Sequence, residues 1–199
     1  MGLVRTTEAK GQLVGNIEDY VSITSKAARQ TERARLENEF LTWADGCNLF
    51  LTFKFAQGEL TSEDRARKAI SHFWNKMDRV WYSKPQVAKG VRIPRVCVLH
   101  KGSSGQNLHI HALAYAEDIP VFCAVAEKVW LDADRFNHSL HIEAVRSHEK
   151  SCRYLLHEYN LSGSDMFMPE VTHKAASQQC LTAKRTMSQL RRVLRAHYA

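Results

Sequence analysis

Two short apolar runs, joined by residues typical of a turn, constrain the fold of this chain more than any other feature. The first covers residues 91–99 and is rich in β-branched side chains, and the second covers residues 109–115. The seven residues KGSSGQN between them, at 101–107, combine glycine, serine and asparagine, which favour turns. The sequence therefore predicts two antiparallel strands joined by a hairpin loop.

Periodicity predicts a strand and two helices before this hairpin. Apolar residues at broadly helical spacing run through 19–44 and stop at Asp45-Gly46, which indicates an N-terminal helix. Strict alternation in 49–55 (LFLTFKF) predicts a strand with one apolar face. Apolar residues then recur three and four apart up to Trp81, after the capping-box-like sequence Thr61-Ser62-Glu63-Asp64, and predict an amphipathic helix.

The remaining elements continue the alternation of strands and helices. Residues 120–131 begin with proline and predict a helix, 139–145 predict a strand, and Ser147 can cap a helix that runs to about residue 161. The order β, α, β, β, α, β, α is that of the split βαβ, ferredoxin-like pattern. We therefore expect an α+β fold with helices on one face of an antiparallel sheet and the other face free for ligands.

Length and cysteine content place the chain in a broad class. Its 199 residues suit one compact domain with an N-terminal helical extension (1–47), a core (48–162) and a connector with a basic C-terminal helix (163–199). The five cysteines are odd in number and form no CxxC pair, so the sequence predicts neither a disulfide framework nor a thiolate zinc site. We expect a cytoplasmic protein with no signal peptide and no membrane partner.

Positive charge is concentrated near the C-terminus. The 28 Lys and Arg residues against 21 Asp and Glu residues give a net charge of +7. Residues 171–199 contain no acid, and their cations are Lys174, Lys184, Arg185, Arg191, Arg192 and Arg195. Such a segment attracts phosphates or an acidic partner, although many are merely solvated helix faces. An apolar seam from Cys180 to Leu194 leaves three roles open for this helix: packing on the core, pairing with another chain, or contacting DNA.

Three histidines flank the hairpin loop. His109 and His111 project from the same face of their strand because side chains alternate, and His100 closes the preceding strand, which the hairpin folds back alongside. One HxH pair alone is more often two ordinary histidines satisfied by hydrogen bonds or solvent, but the third histidine favours a shared cation. Three imidazoles suit Mn²⁺, Co²⁺, Ni²⁺ or Zn²⁺ better than Mg²⁺; since availability also decides occupancy, we expect Mn²⁺ first and Mg²⁺ second.

A second chemically informative segment follows the last predicted strand. The sequence SCRYLLHEYN at 151–160 places Tyr154, His157 and Glu158 on adjoining parts of one helix face, which can lie across the open face of the sheet. Ordinary packing explains a tyrosine beside two leucines, but the histidine triplet favours a chemical role. Tyr159, five residues after Tyr154, does not share its helix face.

These motifs, in this order, resemble the HUH endonuclease superfamily, in particular the rolling-circle replication initiators of plasmids and single-stranded DNA viruses. FLTF at 50–53 is similar to the family's first motif, HIH at 109–111 to its histidine-hydrophobe-histidine motif, and YLLHE at 154–158 to its tyrosine motif. The resemblance covers residues 48–161, with the histidines before the tyrosine as in initiators, whereas relaxases place the tyrosine first.

The resemblance implies the HUH nuclease fold, a metal site made by the three histidines, and attack by Tyr154 on a DNA phosphodiester. The products would be a 5′-phosphotyrosine and a free 3′-hydroxyl, which can rejoin strands without ATP. His100 matches a position that the family often fills with a carboxylate, and His157 matches one that single-tyrosine initiators usually fill with lysine. We expect Tyr154 rather than Tyr159 to be the nucleophile, and His157 to act as an acid, a base or a phosphate contact.

Candidate DNA contacts are basic residues near these motifs or on the C-terminal helix. They are Lys54, Arg153, Lys184, Arg185, Arg191, Arg192 and Arg195. Expected partners are single-stranded DNA at a replication origin or hairpin and, since no GxxxxGK[ST] loop occurs, a host helicase with its polymerase. We expect a monomer or homodimer. The alternatives are an HUH transposase or mobilisation protein and, from another class, a non-catalytic single-stranded nucleic-acid-binding module.

Overall fold

A four-stranded antiparallel sheet is the centre of the fold. The structure, a computed structural model, describes residues 17–56, 61–102, 107–133, 137–174, 185, 186, 188–190, 192 and 195, with the backbone alone at 17–25, 137 and 164. The strands are β1 (Leu49–Phe55), β2 (Arg95–His100), β3 (His109–Ala114) and β4 (Asn137–Ala144), in the spatial order β2-β3-β1-β4. Every neighbouring pair is antiparallel. The predicted α+β class and the hairpin between β2 and β3 are confirmed.

Strand β2 begins later than its apolar pattern predicts. The pattern starts at residue 91, but the ladder with β3 starts at Arg95. Pro94 has no amide hydrogen to give to a ladder, and its carbonyl accepts the Tyr115 amide at 3.0 Å instead. The β-branched residues before it therefore belong to the approach to the strand.

Helices α2 (Glu63–Trp81) and α4 (Ile119–Ala133) cover one face of the sheet, as predicted. The centre of this core is aromatic, since Phe53 of β1 meets Phe73 and Trp130 edge to face with ring centroids 4.9 Å apart. The cap of α2 lies one residue later than the capping-box pattern indicates, because the Ser62 side chain accepts the Arg65 amide at 3.3 Å. A short helix that periodicity did not predict, α3 (Lys84–Ala88), follows α2.

Helices α1 (Ile17–Trp43) and α5 (His148–Leu155) pack on the opposite face of the sheet. The sequence predicts that the helix carrying Tyr154 can lie across this face, but it does not predict that α1 also covers part of it. Leu36 and Phe40 of α1 and Leu155 of α5 form a second core with Val96 and Val98 of β2. This core covers only part of the face. The polar residues of β1, β3 and β4 line an open cleft beside it.

The predicted helix over 147–161 is interrupted. Ser147 caps α5 as expected, but α5 ends at Leu155, and a second short helix, α6 (Tyr159–Ser162), follows a turn. Two histidines donate hydrogen bonds to backbone carbonyls in the last turn of α5. His100 Nε2 donates to the Leu155 carbonyl at 2.8 Å, and His157 Nδ1 donates to the Tyr154 carbonyl at 2.7 Å. These bonds satisfy helix-terminal acceptors that a continuing helix would otherwise use.

The segment after α6 packs along β2. His173 and Arg95 exchange backbone hydrogen bonds at 2.8 Å, and the buried Arg95 side chain also donates to the Val171 carbonyl. The backbone at 188–190, 192 and 195 is helical, and Leu190 is buried in the main core. Of the roles left open for the C-terminal helix, packing on the core therefore applies at Leu190; most of its apolar seam lies outside the described residues. None of the helices in the described ranges is long and apolar enough to cross a membrane.

Candidate active site

The sheet brings His100, His109 and His111 together. His100 at the end of β2 pairs directly with His109 at the start of β3, and His111 lies two residues further along β3 on the same face. Ring centroids are 5.3 Å apart for His100 and His109, and 4.8 Å apart for His100 and His111 and for His109 and His111. One nitrogen from each residue lies within 4.8 Å of those of the other two.

Each imidazole has one nitrogen bound to a protein oxygen. The partners are the Leu155 carbonyl for His100 Nε2 at 2.8 Å, the Asn107 carbonyl for His109 Nδ1 at 2.8 Å, and Thr52 Oγ1 for His111 Nδ1 at 3.0 Å. His100 Nδ1 and His111 Nε2 are buried and have no hydrogen-bond partner among the described residues. Buried polar atoms seldom lack a partner, and an oxygen on the far nitrogen is the usual way to orient a metal-bound histidine. The three residues therefore fit a divalent metal ion.

Burial keeps two of these histidines neutral. It lowers the pKa of His100 to about 4 and that of His111 to about 2, and for His111 the neighbouring His100 adds to the effect. A neutral imidazole has a lone pair to give to a metal ion, whereas an imidazolium has none. Three nitrogen ligands also leave coordination positions open, as in catalytic rather than structural metal sites.

Tyr154 stands beside the histidines on the last turn of α5. Its side chain is 49% exposed, and its ring centroid lies 5.1 Å from that of His111 and 4.7 Å from that of His157, on which it stacks. The second candidate, Tyr159, is buried, and burial together with Glu32 raises its pKa to about 12. Tyr154 alone of the two is accessible to a substrate.

The turn after α5 adds His157 and Glu158 to the site. The His157 ring lies 4.4 Å from that of His100, and its Nε2 is 3.7 Å from the Glu158 carboxylate. His100, His157 and Glu158 thus form a second group with metal-ligand spacing, which shares His100 with the first. The sequence places Glu158 near Tyr154 but predicts no role for it, because the break between α5 and α6 that turns Glu158 inward is not visible in the periodicity.

An open cleft of about 540 Å³ lies in front of these groups. Its lining includes Phe50, Thr52, Lys54, His109, His111, His141, Glu143, Lys150 and Tyr154. The prediction that Lys54 lies on the polar face of β1 agrees with this position. His141 and Glu143 of β4 line the cleft on its β4 side. Lys150 was missed, since nothing in its local sequence distinguishes it from a solvated lysine.

The other predicted DNA contacts that the structure describes are not among the residues that line the cleft. Arg153 is exposed but paired with Glu37 at 2.8 Å and with Glu149 at 2.7 Å. Arg185 is partly buried, and its amide donates to the Trp81 carbonyl at 3.0 Å. Arg192 and Arg195 are exposed. Lys184 and Arg191 lie outside the described residues.

Comparison with protein-family models, with curated proteins and with solved structures gives no match. Any functional assignment therefore depends on the motifs and the geometry of this chain itself.

Proposed function

We propose that the chain is a site-specific, metal-dependent endonuclease that nicks and rejoins single-stranded DNA through a 5′-phosphotyrosine and so initiates rolling-circle replication. The observation that carries the proposal is the position of Tyr154, whose exposed ring lies against His111 and His157. A tyrosine nucleophile needs a cation near its target phosphate and a base near its proton. The order of the HUH-like motifs along the chain supports the same assignment.

In the proposed reaction the phenolic oxygen of Tyr154 attacks a DNA phosphorus. A bond forms between that oxygen and phosphorus, and the bond from phosphorus to the 3′-oxygen breaks. The phenolic proton passes to a base, and the departing 3′-oxygen takes up a proton. Because one phosphodiester replaces another, the released 3′-hydroxyl can reverse the step and join strands without ATP.

His157 is the residue that we assign to the phenolic proton. Its ring stacks on that of Tyr154, and its Nδ1 is bonded to the Tyr154 carbonyl at 2.7 Å, which leaves Nε2 as the basic nitrogen. Free phenol has a pKa of about 10 and is a poor nucleophile at neutral pH, so removal of its proton matters for the rate. A neutral histidine can accept that proton, which a lysine ammonium at the same position cannot.

His100, His109 and His111 are the proposed metal ligands, with Mn²⁺ expected first and Mg²⁺ second. When bound, the ion would act as a Lewis acid and withdraw negative charge from a phosphate oxygen. Neighbouring residues of the protein orient the histidine ligands. Thr52 holds His111 and Asn107 holds His109 through their Nδ1 atoms, so that the remaining nitrogens face one region.

The cleft in front of the histidines is the proposed path of the DNA strand. Lys54 and Lys150 line it and would contact phosphates, and the Tyr154 ring offers a face beside them. The exposed Arg192 and Arg195 would bind flanking DNA in a salt-dependent manner. We place the reaction in the cytoplasm, with a host helicase and polymerase as partners and the protein acting as a monomer or homodimer.

Covalent capture tests the proposal without knowledge of the origin sequence. A pool of single-stranded oligonucleotides with a randomised central segment, labelled at the 5′ or the 3′ end, is incubated with the protein and Mn²⁺ and then denatured. If a 5′-phosphotyrosine forms, the denatured protein should carry the 3′-labelled fragment, and the 5′-labelled fragment should be released. A chelator and Tyr154→Phe should each abolish the adduct, whereas Tyr159→Phe, which alters a buried tyrosine, should leave it.

A non-catalytic single-stranded nucleic-acid binder is the alternative from another class, favoured by the lysines and aromatic rings of the cleft. It predicts binding under native conditions, no label on the denatured protein, and no effect of Tyr154→Phe. That result would overturn the nuclease proposal. An HUH transposase or mobilisation protein would form the same adduct, and the sequences recovered from it would separate these cases.

A further inference from the structure

The buried carboxylate of Glu158 has no role in the chemistry described above. Its side chain is almost fully enclosed, and both oxygens accept backbone hydrogen bonds from the end of β2. Oε2 accepts the Lys101 amide at 2.8 Å, and Oε1 accepts the Gly102 amide at 3.1 Å. Two successive amides aimed at one carboxylate form a small anion-binding concavity.

These bonds join the two segments that carry the candidate chemistry. Glu158 lies in the turn after Tyr154 and His157, and Lys101 follows His100 directly. The neighbouring bond from His100 Nε2 to the Leu155 carbonyl links the same two segments. Three consecutive residues at the end of β2 therefore hold the end of α5 and its turn.

The same contacts continue to a second histidine. The Lys101 carbonyl accepts the Asn107 amide at 3.1 Å, and the Asn107 carbonyl accepts His109 Nδ1 at 2.8 Å. Glu158 thus supports the base of the hairpin from which His100 and His109 both project.

Glycine at position 102 is required for this arrangement. Gly102 has φ +68°, and a Cβ at this position would lie 3.0 Å from the Asn107 Cβ. Any other residue would strain the backbone and displace an amide that Glu158 accepts.

We propose that Glu158 is a positioning residue, which holds the turn carrying Tyr154 and His157 at a set distance from His100 and His109. For the chemical step the inference rests on the proposed function, but its effect on metal binding does not involve DNA. Loss of a partner that orients a metal ligand costs about 10- to 100-fold in affinity. A misplacement of about 1 Å costs on the order of a hundredfold in rate.

The principal test compares Glu158→Gln with Glu63→Gln. Glu63 pairs with the Lys101 side chain at 2.5 Å and is a matched control, since it contacts the same residue by another route. Co²⁺ binding is measured by absorption without DNA, and amide exchange is followed at Lys101 and Gly102. We expect Glu158→Gln to bind Co²⁺ at least about tenfold more weakly and to exchange both amides faster, and Glu63→Gln to match the wild type.

Adduct formation gives a second readout. At saturating metal and oligonucleotide, Glu158→Gln should lower the rate about tenfold or more, while half-saturation by DNA is unchanged. A merely structural role would lower the unfolding temperature without changing Co²⁺ affinity or the saturated rate of the folded protein. A wild type that forms no adduct would contradict the proposed nuclease, and the Co²⁺ and exchange results would still decide the role of Glu158.

A backbone variant gives an independent check, including the case in which Glu158→Gln does not fold. Gly102→Ala should weaken Co²⁺ binding as Glu158→Gln does. Gly46→Ala is its control, because Gly46 has φ +79° and nothing within 4 Å of an added Cβ, so it imposes similar strain elsewhere. Equal Co²⁺ affinities of Gly102→Ala and Gly46→Ala would overturn the proposal. A change in the shape of the Co²⁺ absorption band in Glu158→Gln would also overturn it, because Glu158 would then be a metal ligand.

Discussion

At the scale of single residues, the two nitrogens of each site histidine have separate tasks. The carbonyls of Leu155 and Asn107 each accept a ring N–H and so set the tautomers of His100 and His109, and the Thr52 hydroxyl bonds Nδ1 of His111. The second nitrogen of each ring is thereby left to face the other two histidines. Burial then keeps His100 and His111 unprotonated by lowering their pKa values. Because the folded protein keeps these histidines neutral, acidifying the metal-free protein should lower its free energy of unfolding.

We expect the metal-free protein to lose stability as the pH falls below about 6.5, the pKa of histidine in the unfolded chain. Because folding lowers the pKa of His100 to about 4, the unfolded state takes up this proton first. The stability that depends on a neutral His100 is fully present above pH 6.5 and is lost as the pH falls to about 4. The total loss over this range is roughly 3 kcal/mol. Urea unfolding measured across this range tests the sign.

His100→Gln should flatten this decline, and His72→Gln, at an exposed position on α2, should not. Some slope should remain in both variants, because burial also lowers the pKa of His111 to about 2 and that of His173 to about 4. An equal dependence on pH in His100→Gln and the wild type would contradict the assigned burial of a neutral His100.

At the scale of secondary-structure elements, the positions where strands and helices end decide the site. β2 ends on His100, β3 begins on His109, and α5 stops at Leu155 just after it has presented Tyr154. The end of α5 carries two side-chain hydrogen bonds, since the Leu155 carbonyl accepts His100 Nε2 and the Tyr154 carbonyl accepts His157 Nδ1. A hydrogen bond to a side chain also sets the start of α2, where Ser62 is the N-cap residue.

Ser62→Ala should destabilise the protein by about 1 kcal/mol, because its side chain accepts the Arg65 amide at the start of α2. Thr61→Ala, one residue earlier, should change the unfolding free energy by only a few tenths of this amount. Both are read from urea or thermal unfolding. If Thr61→Ala proved the costlier change, α2 would begin where the capping-box pattern alone puts it.

At the scale of the whole molecule, one buried ion pair joins three parts of the chain. Arg95 of β2 donates to both oxygens of Asp78 of α2, at 2.8 and 3.0 Å, and to the Val171 carbonyl of the segment beside β2. Asp78 also accepts the Ile93 amide at 2.9 Å. The pair therefore fixes the strand that ends in His100 against α2 and against the segment beside β2.

Asp78→Ala should cost about 3–5 kcal/mol, since it leaves the Arg95 guanidinium buried and unpaired. Glu170→Gln is the matched control; its partner Arg67 lies at 2.8 Å in a pair that is partly solvent-accessible. Such a pair contributes less than about 1 kcal/mol. Similar unfolding free energies for the two variants would show that the Asp78–Arg95 pair is not desolvated in solution.

The sequence by itself determined the order and type of the main elements and most of the candidate site residues. Alternation of apolar residues predicts β1 to the residue, and a short apolar run after a turn predicts β3 almost to the residue. Spacing of three and four predicts α2, because it reports which side of the helix faces a core. The HIH parity likewise follows from strand geometry alone. These properties are local, so no tertiary contact is needed to infer them.

Only the tertiary structure decided how these pieces meet. The register of β2 against β3 sets His100 opposite His109, α1 closes part of the face that a four-stranded sheet alone would leave open, and the break after Leu155 turns Glu158 inward. Thr52 and Lys150 belong to the site through a contact or a position distant in sequence. Periodicity cannot carry this information, because hydrogen bonds between segments more than 50 residues apart depend on the whole chain having folded.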